Sequence, residues 1–220
     1  MKKRDNKQFA VIGLGSFGMS LAMQLGSMGY EVLAVDKRQE LVNEVAPYVT
    51  EAVAADAADE AVLDSLGIRN FDVAVVSIGQ NMRDSILVSV QCKELGVPFV
   101  MAKAMDDRHA KVLEKVGVDR VVFPEREMGQ RMARALLRTN YIDMIDLDDE
   151  YQMIEINAPE AWCGRTLSEM NIRRNYGVSI IAIHRGKSFI VSPGADETIH
   201  IGDELLVLGR SDQIDNVDQK

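Results

Sequence analysis

The sequence predicts an α/β fold: a doubly wound parallel sheet, then a crossover helix, then a small α+β C-terminal domain. Three observations carry this expectation. The apolar run Phe9-Ala10-Val11-Ile12 breaks into Gly13, Gly15 and Gly18, spaced G-x-G-x-x-G, and reopens as a helix. Short β-branched runs then alternate with helix-period segments as far as Phe123. From Tyr151 the pattern changes to apolar–polar alternation with hairpin signals.

The first strand, Gln8 to Ile12, ends at Gly13, where a tight turn suits a residue tolerating positive φ. Gly15 lets the backbone approach a pyrophosphate, and Gly18 lets the next helix, Ser16 to Met28, pack close to the strand. The helix N-terminus, at Ser16 and Phe17, points free N–H groups and the positive end of the helix dipole at that phosphate. This is a Rossmann-like nucleotide pocket. Gly29 stops the helix, and Glu31 to Asp36 is a second apolar strand ending in an acid. Asp36, with Lys37 beside it, lies near the offset of about 20 residues expected of a carboxylate that accepts from ribose hydroxyls.

A short helix over Lys37 to Pro47 carries Leu41, Val42 and Val45, and Glu51 to Asp56 reads as the third strand. Asp56, followed by Ala57, has two readings: it faces the base or ribose of a nucleotide, or one of Asp56 and Asp59, with Asp59 the better placed, caps the helix from Glu60 to Leu66. Asp72 to Ser77 is continuous and β-branched, as the buried middle of a parallel sheet requires, and Ser77-Ile78-Gly79 forms the next loop over the pocket. A helix over Asn81 to Leu95 leads to the strand Phe99 to Lys103, whose terminal lysine is placed to reach a phosphate. The helix Asp107 to Val116, stopped by Gly117, and the strand Asp119 to Phe123 complete six strand–helix alternations. These residues, 1–123, make the nucleotide-binding domain.

Pro124 opens the crossover helix, assigned to 124–142, with Glu125 and Glu127 in its first turn and Arg131, Arg134 and Arg138 further along, the order its dipole favours. Met128, Met132 and Leu136 form a stripe that must be buried, on the chain's own domain or against a second subunit; the sequence leaves both open. The remainder, 143–220, begins with an acid-rich stretch, Asp143 to Glu150, read as a polar hinge. An alternating strand over Tyr151 to Ile156 follows, then a helix over Thr166 to Ile172 with Thr166 and Glu169 in capping-box spacing. Val178 to His184 and Ser188 to Val191 make a hairpin, Asp203 to Gly209 is the last strand, and the acidic end is expected to fray.

A net charge of -9 argues against a nucleic-acid surface, and no apolar run reaches the roughly 18 residues that span a bilayer, so a cytoplasmic chain is expected. Cys92 and Cys163 stand alone, outside any CxxC spacing. The histidines, at positions 109, 184 and 200, fall in expected helices or strands without an evident catalytic partner. A dehydrogenase would need an acid–base group against its nicotinamide, so the chain reads as a non-enzyme. The alternative is an NAD(H)-dependent oxidoreductase or an NADH redox sensor, favoured by the glycines and Asp36.

The chain resembles the cytosolic gating subunits of bacterial Trk/Ktr potassium uptake systems, built from RCK N-terminal and RCK C-terminal domains. The resemblance is carried by Val11-Ile12-Gly13-Leu14-Gly15-Ser16-Phe17-Gly18, by Ser65-Leu66-Gly67-Ile68-Arg69-Asn70-Phe71-Asp72, and by Val112-Leu113-Glu114-Lys115-Val116-Gly117-Val118-Asp119 with Phe123-Pro124-Glu125. Tyr176-Gly177-Val178 and Ile201-Gly202-Asp203-Glu204-Leu205-Leu206-Val207-Leu208-Gly209 carry it in the second domain. It implies a homo-oligomeric ring, typically of eight subunits, peripheral at the inner face of the membrane on a membrane-embedded potassium channel, with ATP and ADP or NAD(H) in the Rossmann pocket. By resemblance Gly13, Gly15 and Gly18 hold phosphates, Asp36 the ribose, Asp56 and Ile78 the adenosine region, and Lys103 the outer phosphates, with Gly79 alongside. Glu125 matches an acid that helps bind a cation at the phosphates. Ser16 stands where many members carry an Arg for the terminal phosphate, which argues against strong ATP-over-ADP discrimination. Some members bind cyclic di-AMP between two C-terminal domains; the matching residues are Ile172, Arg173, Asn175, Tyr176 and Gly177, with Pro193.

Overall fold

Residues 7–136, 141–147 and 150–218 are described by a computed structural model. They fall into two compact units, Met1–Arg126 and Glu127–Lys220.

In the first unit β1 (Gln8–Ile12), β2 (Glu31–Asp36), β3 (Glu51–Ala54), β4 (Val73–Val76), β5 (Phe99–Lys103) and β6 (Arg120–Val122) form one parallel sheet in the order β3-β2-β1-β4-β5-β6. The chain winds outward from β1 to β3, then returns to place β4 on the other side of β1. Successive residues of each strand point to opposite faces, so both faces must be apolar. Ala10, Ile12, Leu33, Val35, Ala74 and Val76 pack under α3 (Glu60–Ser65), α4 (Met82–Glu94) and α5 (Asp107–Lys115). Val11, Val32, Ala34 and Val75 pack under α1 (Ser16–Ser27) and α2 (Gln39–Val45). Cys92 of α4 lies within the first of these cores, and burial pushes its thiol up to about 12. Side-chain caps start the helices where the sequence supplies them: Asp59 accepts from the Ala61 N–H, Asn81 from Asp84 and Asp106 from His109.

The second unit is an antiparallel sheet in the order β10-β9-β11-β8-β7, from β7 (Tyr141–Asp146), β8 (Tyr151–Asn157), β9 (Ser179–Arg185), β10 (Ser188–Val191) and β11 (Glu204–Arg210). One face carries Ile154, Ile156, Ile183, Leu205 and Val207 into a core closed by Trp162, by Met170 of α7 (Leu167–Met170), by Ile172 of α8 (Ile172–Tyr176), and by Ile214 and Val217 of α9 (Ser211–Asp218). Cys163, after Trp162, donates to the Pro159 carbonyl at 3.4 Å.

Several expectations are corrected. Residues 143–146 are strand, not hinge: β7 begins at Tyr141 and pairs with β8 as an edge strand, a position where charged residues are common. Asp148 and Asp149, in the rest of the expected hinge, lie outside the described residues, as does Arg138. The helix placed over 124–142 is α6 (Pro124–Leu136), and 141–142 belong to β7. The helix expected through Ile172 is two helices, because Asn171 adopts φ 43° and ends α7 in a left-handed turn. The acidic end does not fray over 211–218: Ile214 and Val217, one helical turn apart, are buried. His200 lies in the loop before β11 rather than in a helix or strand. The α6 stripe is exposed on the single chain, with Met128 at 52%, Met132 at 48% and Leu136 at 87%.

Asp203 is fully enclosed in the second unit. It takes two 2.8 Å bonds from the Arg185 guanidinium and a third from the His200 N–H. These bonds, with Arg185 the largest cause, hold its carboxyl below the ordinary value of 3.8. A carboxyl whose folded value is depressed contributes stability that is complete above its ordinary value and lost as pH falls through the folded one. Asp203→Asn should therefore cost about 1–3 kcal/mol at pH 7, since it removes the carboxylate that takes two of the Arg185 bonds and leaves Glu197 as the guanidinium's charge partner. Urea unfolding at pH 7 and below pH 4 checks this, and the variant's stability should fall less steeply with acid than the wild type's.

Candidate functional site

The strand order reverses beside β1, and open α/β sheets bind ligands at the carboxyl ends of the strands at such a point. The turn leaving β1 is held from both sides. Gly13 N–H donates to the Val35 carbonyl at 2.8 Å, and Ser77 N–H to the Ile12 carbonyl at 2.7 Å. Gly13 has φ +96°, and a Cβ there would lie 2.9 Å from the Ser77 carbonyl carbon. At Gly18 a Cβ would come within 1.9 Å of the Gly13 carbonyl oxygen, so α1 can sit this close to the turn only with glycine at that position.

Gly15 differs. Its φ of -66° is open to any residue, and a Cβ there would meet nothing within 4 Å. Neither backbone nor packing calls for glycine, and what its missing side chain leaves is open space above the loop. Beside it α1 begins without a side-chain cap and without an acid in its first turn. The first-turn N–H groups at Ser16 and Phe17 therefore face the cavity with a positive partial charge.

The cavity has a volume of about 560 Å³, within the range of sites for nucleotide-sized ligands. Gly13, Gly15, Ser16, Phe17, Asp36, Lys37, Asp56, Ala57, Ile78, Gly79, Lys103 and Glu125 all line it. Gly18 does not; it lies beneath the loop against Gly13, so its part is packing rather than contact with phosphate. The two readings of the third acid separate. Asp59 is the helix cap, while Asp56 accepts from the Ala58 N–H at 3.1 Å and lies on the cavity wall.

Asp36 is largely enclosed. Its Oδ2 accepts from the Leu14 N–H at 2.7 Å and its Oδ1 from the Arg38 N–H at 2.9 Å, and the Arg38 guanidinium closes on it at 3.1 Å. Burial would raise its pKa; the Arg38 side chain and the two N–H groups outweigh this and hold it below the ordinary carboxylate value. The acid thus ties the glycine turn to the end of β2 as well as facing the cavity. Arg38 is a wall residue the sequence reading missed, and its only signal was its place two residues after the acid. Leu14, Asn81 and Asp84 were also missed as wall residues, while Ser77 lies on the wall with the loop read over the pocket. The Ser77 hydroxyl is buried at the wall without a hydrogen-bond partner among the described residues. At the outer end Lys103 Nζ is paired with the Glu125 carboxylate, and this pairing is the main reason the Glu125 pKa is lowered. A residue at the end of β5 and one in the first turn of α6 so bring opposite charges to one rim.

No histidine joins this cavity. His109 is buried in the first turn of α5, where its Nδ1 accepts from the Met105 N–H at 3.3 Å and burial lowers its pKa. In the second unit the stretch singled out from Ile172 to Gly177 is α8 and its cap. Ile172 is in the core, Arg173 Nε donates to Ser179 Oγ at 3.2 Å, and Asn175 Nδ2 donates to the Met170 carbonyl at 2.8 Å. The Tyr176 hydroxyl accepts from Trp162 Nε1 at 3.3 Å, Gly177 ends the helix at φ +75°, and Pro193 follows β10.

A parallel sheet that reverses order at a glycine cradle, followed by a small antiparallel domain, defines a Rossmann-like chain with a C-terminal module. The TrkA-N domain matches residues 9–124 and the TrkA-C domain residues 151–220, and the chain belongs to the family built from these two domains. It is 45% identical over 97% of both chains to the Ktr system potassium uptake protein C of Bacillus subtilis. With the Ktr system potassium uptake protein A of the same organism it shares 43% identity over 97% of this chain and 96% of that one. In fold it matches a GsuK channel bound to NAD, with a TM-score of 0.65 at 17% identity, over 99% of this chain and 40% of that chain. The likeness drawn from the motifs and the observed architecture therefore agree.

Gly18→Ala tests the close approach directly. Overpacking at this contact should lower stability by about 1–3 kcal/mol. Thermal unfolding would show a clear fall in Tm, whereas Gly15→Ala, with open space around its Cβ, should melt within a degree or two of the wild type.

Proposed function

We propose that this chain is the cytosolic nucleotide-binding regulatory subunit of a bacterial potassium uptake system, controlled by ATP and ADP and working without catalysis. The reading rests on the family, on relatives named as Ktr potassium uptake proteins, and on one feature of the cavity, the Lys103–Glu125 pair at its outer rim. The residues fit a nucleotide. The glycine turn and the first turn of α1 offer N–H groups to inner phosphates, Asp36 and Asp56 flank the ribose and base end, and Lys103 supplies a cation further out.

The rim pair couples two ligands. With no ligand, Lys103 and Glu125 neutralise one another. A terminal phosphate that draws Lys103 away leaves Glu125 as an uncompensated carboxylate, which a divalent cation then satisfies. Triphosphate and cation so strengthen each other, and a diphosphate that does not reach Lys103 leaves the pair closed. A ligand moves a channel only by favouring one arrangement of subunits over another. The exposed stripe of Met128, Met132 and Leu136 supports assembly of several copies, which we place in a ring of eight docked on the membrane-embedded Trk/Ktr-type channel subunit at the inner face of the membrane. Among the described residues no helix is long and apolar enough to cross a membrane. Cyclic di-AMP is assigned to a pair of C-terminal domains, with Arg173 and Asn175 near phosphate and base and with Tyr176, Gly177 and Pro193 around them.

Calorimetric titration of the full chain with ATP, ADP, NADH and cyclic di-AMP, with and without magnesium, tests the reading. ATP and ADP should bind without turnover, and magnesium should tighten ATP by about tenfold or more while leaving ADP little changed. Glu125→Gln should abolish the magnesium effect on ATP and leave ADP affinity near that of the wild type. Equal losses for both nucleotides would overturn the coupling, and NADH binding alone would return the oxidoreductase or redox-sensor alternative.

A further inference from the structure

The C-terminal sheet has two unlike faces. One is the core; the other carries half-buried Met153, Leu206 and Leu208, with exposed Phe189 and Val191 on the hairpin strand. Three chemically different side chains meet on this second face. Glu204 of β11 stands directly opposite His184 of β9, and Glu155 of β8 lies diagonally across on the other neighbour of β11, opposite Leu206. Each is half-buried, and one ligand atom from each lies within 4.8 Å of the other two. His184 Nδ1 is 2.5 Å from Glu204 Oε2, and the Phe189 ring, 5.8 Å away, packs against the imidazole.

As an internal ion pair this arrangement is incomplete. Whatever the protonation of the imidazole, two carboxylates against one ring leave negative charge unmatched, and the Glu155 carboxylate has no hydrogen-bond or ion-pair partner among the described residues. The apolar side chains around it limit solvation of that charge. Three adjacent strands of one sheet, a rigid support, bring these side chains to a common point.

We propose that Glu155, His184 and Glu204 form a site for a transition-metal dication of the zinc class, distinct from the cation assigned to Glu125 in the other unit. Two carboxylate oxygens and one imidazole nitrogen suit zinc or cobalt. Magnesium and calcium favour all-oxygen shells. Tetrahedral bonds of about 2.0–2.1 Å place ligand atoms about 3.3 Å apart, so small side-chain rotations bring the three onto one ion, with a fourth position left for water or a further ligand. The ion replaces the His184–Glu204 hydrogen bond and joins β8, β11 and β9 across their side chains.

The test is zinc chloride titrated calorimetrically into the full chain after chelator treatment, in nucleotide-free buffer, with cobalt chloride followed by visible absorption as a second reading of coordination. One ion per chain should saturate this site. His184→Ala and Glu155→Gln should each weaken it by about tenfold or more, since loss of a ligand costs at least as much as loss of its supporting hydrogen bond. Glu155→Gln is nearly isosteric and removes no existing partner, so circular dichroism should match the wild type and the loss of zinc is then read on a folded chain. Glu125→Gln should leave zinc affinity unchanged. Absence of saturable zinc binding, less than tenfold weakening in either of the first two variants, or a loss confined to Glu125→Gln would overturn the proposal.

Discussion

The first unit depends on a contact between two glycines. Because Gly18 presents only hydrogen to the Gly13 carbonyl, α1 can begin directly over the end of β1, and the open end of its dipole falls at the edge of the sheet. Three further bonds fix the turn between them: Gly13 to Val35, Leu14 to Asp36, and Ser77 to Ile12. They fasten it to the strands on both sides of β1. The N–H groups that would meet a phosphate are thus already oriented, and little conformational freedom remains to be lost when a ligand arrives. The bond from Leu14, with the backbone and guanidinium of Arg38, explains why the acid at the end of β2 is so enclosed. Asp36 acts within the scaffold first, and whatever it offers a ribose comes from a carboxylate whose position is set by Leu14 and Arg38.

The parallel sheet was legible because burial on both faces writes each strand as an unbroken apolar run, and because glycine, proline and capping residues punctuate the helices between them. The cavity was legible for the same reason: strands whose ends are readable have readable tips, and those tips are where the ligand end of the fold lies. What could not be read were features that depend on neighbours remote in the chain. Edge strand β7 hid its alternation behind Asp143 and Asp146, residues that suit an edge and resemble a linker. Ile214 and Val217 had helical spacing, but the acids around them masked a helix that closes the second core. Asn171 looked like an ordinary interior residue until its left-handed backbone divided one helix into two. Lys103 and Glu125 were each noticed for separate reasons, and their pairing belongs to the meeting of β5 with α6.

Charge in this protein is handled differently in its two units. At the rim of the cavity in the first unit an acid and a base on separate elements satisfy each other, so that pair is neutral until something competes for one of them. Asp203 and Arg185 also satisfy each other, but with the acid fully enclosed and three bonds converging on it, so that pair acts as a fixed joint between β9 and the loop before β11. The first kind of pair can exchange partners because Glu125 is largely exposed; the second cannot without opening the core.

The two thiols extend this contrast to reaction rates. Attack on an alkylating reagent requires a thiolate, and burial disfavours that form at both Cys92 and Cys163. Cys92 is fully enclosed in the sheet–helix core of one unit and becomes reactive only when that core opens, whereas Cys163, beside Trp162 in the other, is only partly covered. The chain therefore carries one chemical clock, in the first unit, and a partly accessible thiol in the second to set its zero. The labelling half-life of Cys92 under native conditions would report the opening of the core around α4.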